Sequence, residues 1–404
     1  MESYRSKVRA LEEIRVLDLA DESASFASKL LAELGAQVIK IEKPGGDPSR
    51  QIGPFWDHSP HPERSLFFLY HNMGKMGVTL NLEHEAGQEI FLRLVEKVDV
   101  VVETYAPGYL AGLGLGFERL QQRNPGVILA SVTGFGQDGP RSQYKSCDLI
   151  ASAYGGQMSV SGSAATPPLK PFGEQSHYTS SLYAAVAVLL ALRKRKKNGK
   201  GEHIDISQQE VAVSTLGDVM TRFFYEKMVT PRQGSLYGNG SFCILSCKDG
   251  HLLLTPFFQW ETLVEWLEGE EMAEDLGEEK YRDENYRRQQ LSHILEVLER
   301  WTKNHTTAEH LALGQNMRFP WAPVQTPGEV LGNFQLRARE FFREVVHPAI
   351  SRSLPYPGHP SQSQNLATLS AWAPDVGEHN NQIYLEELGL SPADLKKLTE
   401  MGVI

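Results

Sequence analysis

Glu174 and His177 are the residues whose types and spacing suggest chemistry. They stand three residues apart where a Gly/Ser/Pro-rich loop gives way to the long apolar run HYTSSLYAAVAVLLAL. A helix beginning near Ser176 puts Glu174, Gln175, Ser176 and His177 at its N-terminal turn. Unsatisfied N–H groups and the positive end of the helix dipole there stabilise an anion or a reactive carboxylate. A carboxylate in such a place can act as a nucleophile, and an imidazole can move protons or form an acyl-imidazole. The structural alternative for Glu174 is a plain helix cap.

The flanking chain says what must position these groups. The helix closes on the turn Asn198-Gly199-Lys200-Gly201, and a short strand follows from His203 to Ile206. Upstream, a β-rich run from Ile14 to Leu19, a helical pattern from Ser23 to Leu34 and a second strand from Gln37 to Glu42 make a β-α-β unit. The alternation continues with a helix near Glu85–Lys97, a strand at Asp99–Glu103, a helix around Phe117–Arg123 and a strand at Val127–Thr133. Such alternation predicts an α/β fold, a Rossmann-like parallel sheet covered on both faces, with ligands at the carboxyl ends of its strands. From Ser207 to Met228 the pattern is one helix. Beyond it come two short strands around Lys248-Asp249-Gly250 and helices at Trp260–Leu267 and Asn285–Asn304, a smaller α+β domain. The expected division is 1–227 for the first part of the large domain, 228–325 for the small one, and 326–404 for a linker and C-terminal return to the large domain.

Composition narrows the partners. A chain of 404 residues with 41% hydrophobic and 22% charged residues can bury a large core. Its net charge of −10 argues against a nucleic-acid partner or an anionic membrane surface, so any phosphate site must be local. Three cysteines, Cys147, Cys243 and Cys247, fit a reducing cytoplasm and no structural disulfide. The longest apolar run, Leu182–Leu192, is too short to span a bilayer, and no cluster has metal-ligand spacing. The basic run Arg193–Lys197 ends the apolar helix, where it complements the dipole. Gly134–Gly139 matches G-x-G-x-x-G after a strand, but Pro140 follows and no helix opens, which removes the pyrophosphate site of a dinucleotide fold.

At Asn198–Ser207 the run N-G-K-G-E-H-I-D-I-S resembles the T-G-x-G-Q-x-V-D-x-S motif of the class III CoA-transferases, the CaiB/BaiF family of formyl-CoA and carnitine CoA-transferases. Further matches keep the family's order: Leu34-Gly35-Ala36, the stretch from Lys40 to Gly45, Asn72 with Lys75, and Asp99-Val100 with Pro107-Gly108. Gly134–Pro140, Asp148, Gly162, and Pro374 with Gly377-Glu378-His379 complete the series. The resemblance covers nearly the whole chain. It implies two chains interlocked like links, with a coenzyme A thioester, succinyl-CoA being the expected donor, as substrate and no resident cofactor or metal. It also places Lys43, Lys75, Thr104, Tyr105 and Lys145 at the CoA site.

In that family an aspartate at the start of the helix attacks an acyl-CoA. The resulting anhydride collapses to an enzyme–CoA thioester and free acid. Here the position is His177, which has no carboxyl carbon to carry the thiolate. Other departures are Thr104-Tyr105 for the usual Asn-Phe, Gly112 for an Arg, and the charged loop Asp21-Glu22-Ser23, read as the cap of the next helix. Three functions follow from the resemblance. One is the non-catalytic subunit of a hetero-oligomer, beside a paralogue that keeps the aspartate. Another is an active homodimer using Glu174, and the third is an acyl-CoA isomerase or racemase using His177 for proton transfer.

Overall fold

The structure, a computed structural model, describes residues 9–238, 240–350, 352–362 and 371–404. It comprises two compact units. The larger consists of Met1–Gln157, Pro171–Thr221 and Gln335–Ile404, and the smaller of Met158–Lys170 and Arg222–Phe334.

The larger unit is built on a six-stranded parallel sheet: β1 (Arg15–Leu19), β2 (Gln37–Glu42), β3 (Met76–Thr79), β4 (Val100–Glu103), β5 (Ile128–Thr133) and β6 (His203–Ser207). The strand order is β3-β2-β1-β4-β5-β6. Val100-Val101-Val102 of β4 and Val38-Ile39 of β2 are β-branched residues that put apolar side chains on both alternating faces, as strands buried on both sides need. Leu17, Ile39, Val101 and Leu129 face one core, while Val16, Val38, Val102 and Ala130 face the other. Helices α1 (Ser25–Glu33), α2 (Leu66–His71), α3 (Glu85–Val95), α4 (Tyr109–Gly112), α5 (Phe117–Arg123), α6 (Asp148–Tyr154) and α8 (Gln175–Asn198) punctuate the order, while α7 (Gln157–Val160) falls mostly in the smaller unit. Strand order reverses between β1 and β4, which opens a crevice at their carboxyl ends.

Helix α8 covers the second core face. Ser180, Ala184, Val188 and Ala191 are buried, and their small side chains allow a close approach to the sheet. The helix stops at Gly199, whose φ of 70° is the left-handed value that favours glycine. Its outer face is apolar and exposed: Leu182 is 49% accessible, Val186 56% and Leu190 62%. At the other edge of the sheet β3 is paired by the C-terminal segment. His379 donates its amide to the Gly77 carbonyl, Asn380 Oδ1 accepts from the Thr79 amide, and Tyr384 donates its hydroxyl to the Thr79 carbonyl.

Two expectations about elements are corrected. The helix expected from Ser207 to Met228 is two helices, α9 (Gln208–Ser214) and α10 (Gly217–Glu226), and the one from Asn285 to Asn304 breaks at Gln290. Apolar spacing continues through a short interruption, so periodicity alone does not mark the break. The smaller unit has an antiparallel sheet formed by Leu236–Tyr237, Phe242–Ser246, His251–Leu254 and Ala322–Pro323. Its core packs around Trp260, Trp301 and Trp321. Among the described residues no helix is long and apolar enough to cross a membrane.

Candidate active site

The crevice at the reversal point is assembled by carboxylates that pin the loops leaving the strands. Asp18 of β1 accepts from the Ala20 amide at 3.0 Å, and Glu103 of β4 accepts from the Tyr105 amide at 2.6 Å. Thr104 then reaches across the reversal, its hydroxyl accepting from the Asp21 amide at 3.0 Å. Lys40 of β2 joins the next loop: it donates to the Ala20 carbonyl and lies 2.9 Å from Asp47. Asp21 accepts from the Ser23 amide and hydroxyl, the local capping geometry that the sequence suggests. Glu22, next to it, is half-buried, and burial followed by the charge of Asp21 raises its pKa, while His177 acts against the shift.

At the start of α8 the anion-binding position is already filled by the protein. Asp148, first residue of α6 and buried, accepts from the Ser176 amide at 2.8 Å and the His177 amide at 3.4 Å. Glu174 precedes the helix but makes no capping bond with its side chain. It stands instead 3.6 Å from His177 Nδ1, with 39% of its side chain accessible. That separation is an ion-pair distance beyond a hydrogen bond. His177 lowers the Glu174 pKa, ahead of burial, which raises it, so the carboxylate stays ionised. His177 itself is 7% exposed, and both its ring nitrogens lack a hydrogen-bond partner in the chain. Nδ1 faces the Glu174 carboxylate, and Nε2 is left to meet a ligand or a partner's group.

His71, the last residue of α2, is a member of this neighbourhood that sequence reasoning missed. Its Nδ1 lies 2.9 Å from the Phe67 carbonyl, which can only accept, so the proton is on Nδ1. The ring packs against Tyr178 of α8 at 5.6 Å, and Phe26 meets the same tyrosine at 5.0 Å. Burial pushes its pKa down to about 4, with Lys75 and Lys29 adding to the shift and Glu174 opposing it.

The residues expected at a CoA site fall into two groups. Thr104 and Tyr105 line the reversal point, the Tyr105 ring tilted against Tyr109 with 4.7 Å between centroids. Lys43 is exposed and paired with Glu83 at 2.8 Å, and Lys145 is exposed in the loop before α6. Lys75 differs from the expectation. It is buried, with its ammonium bonded to Asp18 at 2.7 Å, the Ser25 carbonyl at 2.9 Å and Asn72 at 2.8 Å. Those three bonds use every N–H it has, so it neutralises Asp18 rather than facing a phosphate.

A parallel sheet whose strand order reverses between β1 and β4 is shared with a known group. The model of the family described as CoA-transferase family III matches residues 11–380. The chain belongs to that family. It is 33% identical over 400 residues to the succinyl-CoA:(R)-benzylsuccinate CoA-transferase subunit BbsE of Thauera aromatica, covering 96% of this chain and 97% of that one. It is 30% identical to the succinyl-CoA–L-malate CoA-transferase beta subunit of Chloroflexus aurantiacus, over 97% of each. The solved structure of a CAIB/BAIF family protein from Brucella suis superposes with a TM-score of 0.83 at 27% identity, covering 93% of this chain and 99% of that one. The α/β fold with a parallel sheet is thus that of the CaiB/BaiF proteins, and the enzyme class is CoA transfer.

Proposed function

We propose that this chain is the non-catalytic subunit of a hetero-oligomeric class III CoA-transferase that moves CoA between carboxylic acids, with succinyl-CoA as donor. The observation that carries this reading is His177 at the helix start, where the family resemblance puts the nucleophile. An imidazole can accept an acyl group, but it cannot become the carbonyl half of a CoA thioester. The lost nucleophile and the altered CoA contacts at Thr104-Tyr105, Gly112 and Asp21-Glu22-Ser23 sit on a scaffold that is otherwise intact, with its loops pinned and its helix start capped by Asp148. Two relatives bear the word subunit in their names, one of them acting on benzylsuccinate, a substrate of anaerobic toluene degradation as the resemblance implies. The exposed stripe Leu182, Val186 and Leu190 on α8 is the kind of surface that a partner chain covers. The partner in this reading is a paralogue that keeps the aspartate, the compartment is the cytoplasm, and Lys43, Thr104, Tyr105 and Lys145 meet the CoA.

A second reading is favoured by one feature, the ionised and accessible carboxylate of Glu174 beside His177. In it the chain is an active homodimer and Glu174 takes the CoA. Proton transfer by His177 in an acyl-CoA isomerase or racemase is the third, supported by a buried ring whose nitrogens make no hydrogen bond within the chain. Intact mass spectrometry after incubation with succinyl-CoA separates them, on the chain alone and co-expressed with an Asp-bearing paralogue. An adduct of CoA mass on the paralogue only is the expected result. A borohydride-sensitive adduct on this chain, lost in Glu174→Gln, overturns it in favour of Glu174.

A further inference from the structure

A platform of aromatic rings adjoins the start of α8 and takes no part in the chemistry proposed for Glu174 and His177. The Tyr178 amide donates to the Glu174 carbonyl at 3.0 Å, so the turn is helical from Glu174 onward. Residues three and four apart share a helix face, which sets His177 and Tyr178 on the side of Glu174, with about 5–6 Å between neighbours. Phe26 of α1 meets Tyr178 edge-on with 5.0 Å between centroids, and His71 of α2 lies 5.6 Å from Tyr178 and 6.1 Å from Phe26. The Phe67 ring stacks on His71 at 4.0 Å, and the Phe67 carbonyl accepts from His71 Nδ1, which fixes the imidazole in the array.

Core packing does not account for these rings. Phe26, Phe67 and Tyr178 are only half-buried, and among the described residues they belong to none of the hydrophobic cores of the larger unit. They make an apolar surface whose polar edge is Glu174 and His177. At that edge His177 is 7% exposed, its Nδ1 is 3.6 Å from Glu174, and its Nε2 makes no hydrogen bond within the chain. A buried ring nitrogen in that state calls for a ligand group.

We propose that Phe26 and Tyr178 are specificity-determining residues of this site, and that they select a carboxylic acid carrying an aromatic ring one or two carbons from its carboxyl group. The carboxylate accepts from His177 Nε2–H, the imidazolium standing between that anion and Glu174. The ring adds to Phe26 and Tyr178 by the offset-stacked or edge-to-face contacts that aromatic pairs prefer. The spacing of about 5–6 Å along the helix face is the reach of a carboxyl group joined to a ring by so short a spacer. Succinate, the acid of the expected donor, has no ring for this surface and brings a second carboxylate to it, which an apolar wall desolvates without a partner. The proposal rests on the reading of the start of α8 as the acid end of a CoA-transfer site, and not on which chain carries the nucleophile.

The test is calorimetric binding of 3-phenylpropanoate and of succinate to the whole chain, alone and co-expressed with an Asp-bearing paralogue. In one preparation or both, phenylpropanoate is expected to bind more tightly than succinate by about tenfold or more. Phe26→Leu and Tyr178→Leu exchange a ring for an aliphatic group and should weaken phenylpropanoate by roughly two- to tenfold each, with succinate unchanged. Tyr178→Phe keeps the ring and should keep the affinity, and urea midpoints show that each variant is folded. Equal affinity for the two acids, no phenylpropanoate binding in either preparation, or an unchanged affinity in the two folded leucine variants overturns the platform. The CoA adduct formed from succinyl-CoA needs no ring. A paralogue-only adduct without ring selectivity therefore removes the platform alone, and an adduct on this chain with ring selectivity removes the subunit assignment alone.

Discussion

Asp148 and Ser176 are held together by a 2.8 Å bond between a carboxylate oxygen of one and the amide of the other, across 28 residues of sequence. The bond puts the negative charge that the start of α8 attracts on the protein itself, and Glu174 is left uncommitted to the helix end. Asp148→Asn keeps the shape but weakens a charge-assisted bond. It is expected to lower stability by about 1–2 kcal/mol, read as a lower urea midpoint with an unchanged m-value. A change below a few tenths of a kcal/mol would show that the helix start does not need the charge.

His177→Asp restores a carboxylate with an acyl carbon at the position where the family resemblance puts the nucleophile. Incubated with succinyl-CoA, the variant is expected to acquire a CoA-mass adduct that the wild-type chain lacks. Glu22 and Asp148 place like charge near the new group, which raises its pKa and slows attack, so the adduct should form more readily as pH rises. Failure of the adduct to form in a folded variant bound to its paralogue would mean that the CoA loops as well as the nucleophile have been lost.

The strands β1, β2, β4 and β5 were legible because β-branched runs bounded by Gly, Pro and charged residues have few other readings. The start of α8 was legible to one residue, and the family followed from Asn198–Ser207. Strand β3 and helix α2 escaped notice: Gly77 dilutes the strand pattern of Met76–Thr79, and Leu66–His71 is short. The site was legible only where a residue acts near its own sequence neighbours, as Glu174 does with His177. Asp148, named from the sequence only as one of the family matches, and His71 reach α8 from other elements, so no spacing announces their contact with it. Lys75 was misread because an Asn-x-x-Lys sequence carries no sign of burial, which is set here by Asp18 on another strand.

Lys75 and Lys43 should therefore respond differently to removal. Lys75→Met leaves Asp18 as an uncompensated buried charge, and a loss of about 3–5 kcal/mol is expected, visible as a large drop in the denaturation midpoint. Lys43→Ala removes one side of an exposed pair and should leave that midpoint unmoved while weakening CoA binding in calorimetry at low salt. Equal midpoints for the two variants would contradict the burial of Lys75.

His71 gives the site a pH dependence whose sign is fixed by the direction of its shift. A base whose pKa falls to about 4 on folding binds fewer protons in the native state than in the unfolded one between about pH 4 and the ordinary histidine value near 6.5. Stability from this group is therefore complete above that window and is lost as pH falls through it, by about 2 kcal/mol between pH 6.5 and 5. His71→Phe keeps a ring against Tyr178 and cannot take a proton, at the cost of the bond to the Phe67 carbonyl. At pH 7.5 it should be the less stable protein by about 1 kcal/mol, and at pH 5 the order should narrow or reverse. Urea midpoints at the two pH values decide this. A constant gap between wild type and variant would mean that burial does not depress the His71 pKa, and that at pH 5 the ring beside Glu174 carries a charge.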